Sequence, residues 1–97
     1  MKTVKEIIIY VANHFSMNPK SLTSRNRFEP LATRRQMVMM LASEQGHGCV
    51  IIAKGLKRHH HTTVLAGIHS LKNKMDTEPK LRAEFQTLQN KLATNGK

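Results

Sequence analysis

Apolar residues recur at helical spacing in several separate stretches of this chain. Val4, Ile7, Ile8, Val11 and Phe15 share one face of a 3.6-residue period, which predicts a helix from residue 4 to residue 14 or 15. Thr3-Val4-Lys5-Glu6 has capping-box spacing and marks its start. Ser16 and Asn18-Pro19 end it and open a short helical piece over 19–22. Residues 24–30 are polar and basic without a period and read as an exposed loop. Leu31, Met37, Val38 and Leu41 are core candidates of a helix over 31–45, with Arg34, Arg35 and Gln36 projecting from its first half. Gly46 and Gly48 bracket a break. The run Val50-Ile51-Ile52 has the composition of a strand, but no partner strand exists elsewhere, so residues 49–56 read as a short helix. Val64, Ile68, Leu71 and Met75 give the inward stripe of a helix over 60–75, and Thr62, Ala66, His69 and Asn73 share its opposite face. Asp76-Thr77-Glu78-Pro79 supplies a cap, an acid and a first-turn proline for a last helix striped by Leu81, Phe85, Leu88 and Leu92. Residues 93–97 are expected to fray. The pattern as a whole predicts one all-α domain over residues 1–97, with an ordered core over about 3–93.

Composition sharpens this picture. Aromatic residues make up 4% of the chain, so the core must be built from aliphatic side chains and methionine, which favours packed helices. The methionines Met37, Met39, Met40 and Met75 read as core filler, Met39 being the one to watch for exposure. The net charge is +10, from 16 Lys and Arg against 6 Asp and Glu, which implies an anionic partner, nucleic acid first. No apolar run reaches transmembrane length and no signal-peptide pattern opens the chain, so a cytoplasmic protein without membrane contact is expected. The single cysteine, Cys49, excludes an intrachain disulfide and reads as a small buried hydrophobe.

The charge is unevenly placed. Residues 45–75 contain no acid, yet carry Lys54, Lys57, Arg58, Lys72, Lys74 and the histidines at 47, 59, 60, 61 and 69. A short helix, a tight turn and a longer helix with a polar outward face form the layout of a helix-turn-helix unit. The second helix would begin at His59-His60-His61-Thr62-Thr63, just after Lys57-Arg58. Short polar side chains at a helix start suit a polyanion, because the dipole and the free N–H groups favour phosphate while hydroxyls and imidazoles reach base edges.

Arg35-Gln36-Met37, then Leu41-Ala42, and later His61-Thr62-Thr63-Val64-Leu65 resemble the C-terminal DNA-binding domain of the bacterial chromosomal replication initiator DnaA. The similarity runs from about Val4 to Leu92. It implies a Trp-repressor-like helical fold with a helix-turn-helix, binding as a monomer to a short duplex element, the DnaA box. It further implies that Arg27 enters the minor groove and that His61, Thr62 and Thr63 meet major-groove base edges and phosphate. Arg35 and Gln36 would contact phosphate or give structural support, and Val50 matches an apolar position at the start of the unit's first helix. The full-length initiator and other replication proteins are further partners it implies, in replication initiation or its regulation at the bacterial nucleoid. Three departures stand out. His60 replaces a usual acid, Lys57-Arg58 occupies a turn that is rich in glycine in the family, and Ala66 replaces a histidine. The missing glycine is expected to change the turn and tilt the second helix. The family's ATPase module is absent, since no phosphate-binding loop motif occurs. An excised domain and a free-standing relative, including a regulator of a mobile element, both remain open.

Together these readings assign phosphate contacts to Arg25, Arg34, Arg35, Lys54, Lys57 and Arg58, and base or groove discrimination to Arg27 and the residues from His59 to Thr63, with Gln36 alongside. Against them stand plainer readings. Loop arginines are usually solvated, and Thr62 and Thr63 would simply satisfy first-turn donors. Three consecutive histidines diverge by about 100° each on a helix and do not converge on one ion, so no metal or cofactor is expected. A Cys-His pair without an orienting carboxylate does not make an enzyme. The rival of another class is a basic module that docks an acidic protein or a membrane. RNA binding is disfavoured by the scarcity of aromatics for stacking.

Overall fold

The computed structural model describes residues 2–24, 29–58 and 60–95, and those residues form helices with no strand among them. The helices are α1 (Val4–His14), α2 (Pro19–Thr23), α3 (Leu31–Glu44), α4 (Cys49–Gly55), α5 (His61–Thr77) and α6 (Pro79–Asn95). Side-chain caps mark the starts of α1 and α2. The Thr3 hydroxyl accepts from the Glu6 amide at 3.1 Å, and the Glu6 carboxylate accepts from the Thr3 amide at 2.9 Å. Asn18 caps α2 through the Lys20 amide at 2.9 Å, with Pro19 as its first residue.

Three helix ends close in the same way. After α1, α3 and α4, a left-handed residue lets two successive amides turn back onto the last-turn carbonyls. That residue is Gly46 after α3, but Ser16 (φ 54°) after α1 and Lys57 (φ 58°) after α4. Beyond α5 the expected boundary moves. Asp76 and Thr77, read above as a helix start, belong to the last turn of α5, where the Thr77 hydroxyl donates to the Lys74 carbonyl. Only Glu78 separates α5 from α6, so Pro79 supplies the break.

Helix α3 sits at the centre and packs against α1, α2, α4 and α5. Six consecutive residues from Met37 to Ala42 are buried. A helix covered on most sides has no single apolar stripe, which explains why periodicity found Met37, Val38 and Leu41 but passed over Met40 and Ala42. Met39 is buried as well. Val64, Gly67 and Leu71 of α5 face this core, while Ile68 and Met75 are only half covered. Phe85, Leu88 and Leu92 of α6 are buried, and the Tyr10 hydroxyl of α1 donates to the Leu88 carbonyl at 2.7 Å. Cys49 is half-buried at the rim of the same core.

Two helical glycines permit close helix contacts. A β-carbon at Gly55 would run into Val4 Cγ1 and lie 3.0 Å from Val4 Cβ. One at Gly67 would meet the Met39 sulfur. Valine is stiff and buried here, whereas methionine repacks readily. Gly55→Ala is therefore expected to destabilise the domain by about 1–2 kcal/mol, because overpacking exceeds the gain of about 1 kcal/mol in helix propensity. Gly67→Ala should stay within about 1 kcal/mol of wild type, since the two effects nearly offset. Paired urea denaturation curves measure both, and a Gly55→Ala protein as stable as wild type would refute the close contact.

Candidate nucleic-acid interface

Helix α4 ends in the turn that launches α5. Leu56 is buried beneath it, Lys57 takes the left-handed conformation, and the amides of Lys57 and Arg58 return to the carbonyls of Lys54 (3.0 Å) and Ala53 (2.8 Å). Lys57 takes the left-handed place that a glycine would fill at little cost. The turn forms with both closing bonds, and the cost appears as about 1 kcal/mol of backbone strain at Lys57.

The start of α5 is open. His60 occupies the cap position with extended backbone (φ −122°, ψ 131°) and makes no side-chain cap bond. His61, Thr62 and Thr63 are exposed. Among the described residues, neither threonine hydroxyl has a hydrogen-bond partner, so the plainer reading of them as caps finds no support. The outward face continues through Leu65, Ala66, His69 and Asn73, all exposed.

Beside this face lies an open cleft of about 660 Å³. Ala32, Arg35, Gln36 and Met39 of α3 form one wall, Lys57 and Arg58 the end, and Thr63, Ala66, Gly67 and Ser70 of α5 the other wall. Lys54 and Lys57 are exposed on the same unit. Gln36 is half-buried and accepts from the Lys74 ammonium at 3.2 Å. Arg58 is half-buried, and its guanidinium donates to the Ser24 carbonyl at 2.9 Å, so part of its capacity holds the protein together.

The two arginines of α3 part company: Arg35 lines this cleft from beneath, and Arg34 does not. Arg35 is 4% exposed. Its Nε donates to the Leu22 carbonyl at 2.7 Å, and its Nη2 to the carbonyls of Ser21 (3.0 Å) and Ser24 (2.9 Å). The expectation that Arg35 holds phosphate is thereby corrected: of its two proposed roles, the structure gives it support. Burial, and secondarily the charge of Arg58, push its pKa below the ordinary arginine value. Arg34 projects one step around the helix, with its guanidinium 4.2 Å from the Phe15 ring centre. It lines a different cleft, with Phe15, Glu29, Met37, Lys74 and Glu84, away from the start of α5. Adjacent residues on a helix point about 100° apart, and sequence does not say which direction is solvent. Arg25, Arg27 and His59 lie outside the described residues.

Residue typing passed over Leu65. It is 53% exposed, as are Val50 and Ile51 on α4. A signal was available, because Leu65 stands three residues after Thr62 and so shares its face. Exposed aliphatic groups on such a surface suit thymine methyls.

A short helix, a closed turn and a longer helix with an open, acid-free start define a helix-turn-helix domain. The chain belongs to the bacterial dnaA protein helix-turn-helix family, whose family model matches residues 4–71, from α1 to within α5. Among curated proteins, it is similar to the chromosomal replication initiator protein DnaA of Streptococcus agalactiae serotype Ia and of serotype V. Each is 29% identical over 90 residues, which cover 92% of this chain and 20% of the relative. The chain thus spans about a fifth of the length of these relatives. No solved structure matches it. No helix of the described residues is long and apolar enough to cross a membrane.

Proposed function

We propose that this domain binds double-stranded DNA sequence-selectively, reading a DnaA-box-like element in replication initiation or its regulation. The observation that carries the reading is the start of α5: His61, Thr62 and Thr63 are exposed, the threonine hydroxyls have no partner among the described residues, and no acid occurs from residue 45 to residue 75. Lys54 and Lys57 hold phosphates, which supplies salt-dependent affinity. Thr62, Thr63 and His61 meet base edges and nearby phosphate, and Leu65 meets a thymine methyl. Arg25 and Arg27 of the basic loop extend the contact, Arg27 into the minor groove as the family resemblance implies. The role is binding, with no catalytic step. The full-length initiator and other replication proteins are the partners expected to share these sites.

The test is binding to a DnaA-box duplex and to a scrambled duplex at about 150 mM salt, where non-specific attraction is weak. A preference of roughly tenfold or more for the box supports the reading, and equal weak binding to both overturns it. In the same assay, Lys57→Ala should weaken both duplexes alike and shallow the salt slope by about one unit. Alanine inherits the same backbone strain, so stability should not change. An unaltered slope would remove Lys57 from the phosphate footprint.

A further inference from the structure

The exposed face of α5 is rich in methyl groups and poor in paired hydrogen-bonding groups. His61, Leu65 and His69 follow one another at four-residue spacing and form an outward ridge, with Thr62 and Ala66 beside it, all of them exposed. Leu65 is 53% exposed, although burying an aliphatic side chain of that size is favourable. Thr63 and Ala66 also line the cleft shared with α3. Guanine and adenine are read in the major groove by two hydrogen bonds from one Arg, Lys, Asn or Gln side chain. None of those residue types occurs from His60 to Leu71, so the first three turns of α5 offer no such reader. Lys72 and Asn73 come only after roughly 16 Å of helix. Gln36 and Arg58, at the margin of the cleft, each have a partner in the protein, Lys74 and the Ser24 carbonyl respectively. What the start of α5 presents is therefore largely apolar: the methyls of Thr62, Thr63 and Ala66 and the branched end of Leu65, among imidazoles that offer single hydrogen bonds.

We propose that Leu65, with Ala66, is a specificity-determining residue that selects the 5-methyl group of pyrimidines, so that the domain tells thymine from uracil and takes 5-methylcytosine in thymine's place better than cytosine. This rests on the DNA-binding reading above and names the chemical group that the site selects. Thymine alone among the ordinary DNA bases shows an apolar group in the major groove, and that methyl is a cover of matching chemistry for an exposed aliphatic ridge. The acid-free surface, with Lys54 and Lys57 on phosphates, brings the duplex to the ridge. Contact then removes both apolar surfaces from water, a gain that uracil and cytosine cannot supply.

The test is a box duplex in which uracil replaces every thymine, which removes methyl groups and leaves the hydrogen-bond pattern of each base pair intact. The wild-type domain should bind it roughly tenfold or more weakly, at about three- to fivefold for each methyl in contact. Any effect of uracil on duplex shape acts on wild type and variant alike, so a double-mutant cycle isolates the contact. In Leu65→Ala the loss on uracil substitution should shrink by about three- to fivefold, whereas Leu65→Met, which keeps an apolar group, should retain it. Leu65 is exposed, so the melting temperatures of both variants should match the wild type. Equal binding of the thymine and uracil duplexes overturns the proposal, as does a loss of the same size in wild type and Leu65→Ala. At thymine positions where cytosine weakens binding, 5-methylcytosine should recover about three- to fivefold at one position or more, and recovery at none overturns it too. If the wild type shows no preference for the box over the scrambled duplex, the box reading fails, and selection from random duplexes judges this inference separately. Sequences enriched from a thymine library but not from its uracil counterpart support it. Enrichment of the same sequences from both libraries, or of none from either, overturns it.

Discussion

Arg35→Ala should cost the domain about 3–5 kcal/mol in urea denaturation followed by helical circular dichroism. Helix α2 has five residues and is too short to persist alone. Its last-turn carbonyls and that of its cap Ser24 find their donors in one guanidinium. Alanine removes those charge-assisted bonds and a buried side chain together. Small domains have only about 5–15 kcal/mol to lose, so the variant should be partly unfolded at moderate temperature. Arg35→Lys should recover less than half the loss, because an ammonium lacks the planar fork that spans separate acceptors. Nearly equal affinity for DNA after correction for the unfolded fraction would agree with a structural role. A variant within about 1 kcal/mol of wild type would show that the Arg35 bonds do not hold α2.

The second large effect is at the recognition helix. Thr63→Ala should weaken binding to the box duplex by about 1–3 kcal/mol, roughly five- to 150-fold in Kd, with little change on the scrambled duplex. Stability should move by no more than about 0.5 kcal/mol, since the residue is exposed and its hydroxyl bonds no backbone group among the described residues. Losing stability but not affinity would assign Thr63 to the helix start alone. Thr63→Ser separates the methyl from the hydroxyl: if the hydroxyl reads a base, serine should retain most of the affinity.

The two predictions show where one-dimensional reasoning works. Capping, turn and spacing signals act over three or four residues, so Thr3 and Glu6, Asn18 and Pro19, and the α4–turn–α5 layout were legible directly. The acid-free stretch over 45–75 was legible for the same reason, since charge density is a property of the string. The end of α5 was misplaced because Asp76 and Thr77 serve equally well as a helix start and as a helix end, and the chain's packing chose the latter.

The direction of a side chain is another matter. Arg34 and Arg35 look alike in sequence, yet one stacks on Phe15 and the other is buried against α2, because α3 is covered on several sides and each residue meets whatever lies opposite it. Lys74 reads as one more cation of a basic helix until folding brings it to Glu29, 45 positions earlier. The helical class, the basic balance and the register of the helix-turn-helix unit were thus settled by local chemistry, which any segment of the chain carries with it. Which cations remain available to DNA, and which are spent on the protein's own carbonyls and carboxylates, was decided by tertiary packing, because the competing acceptors lie far away along the chain.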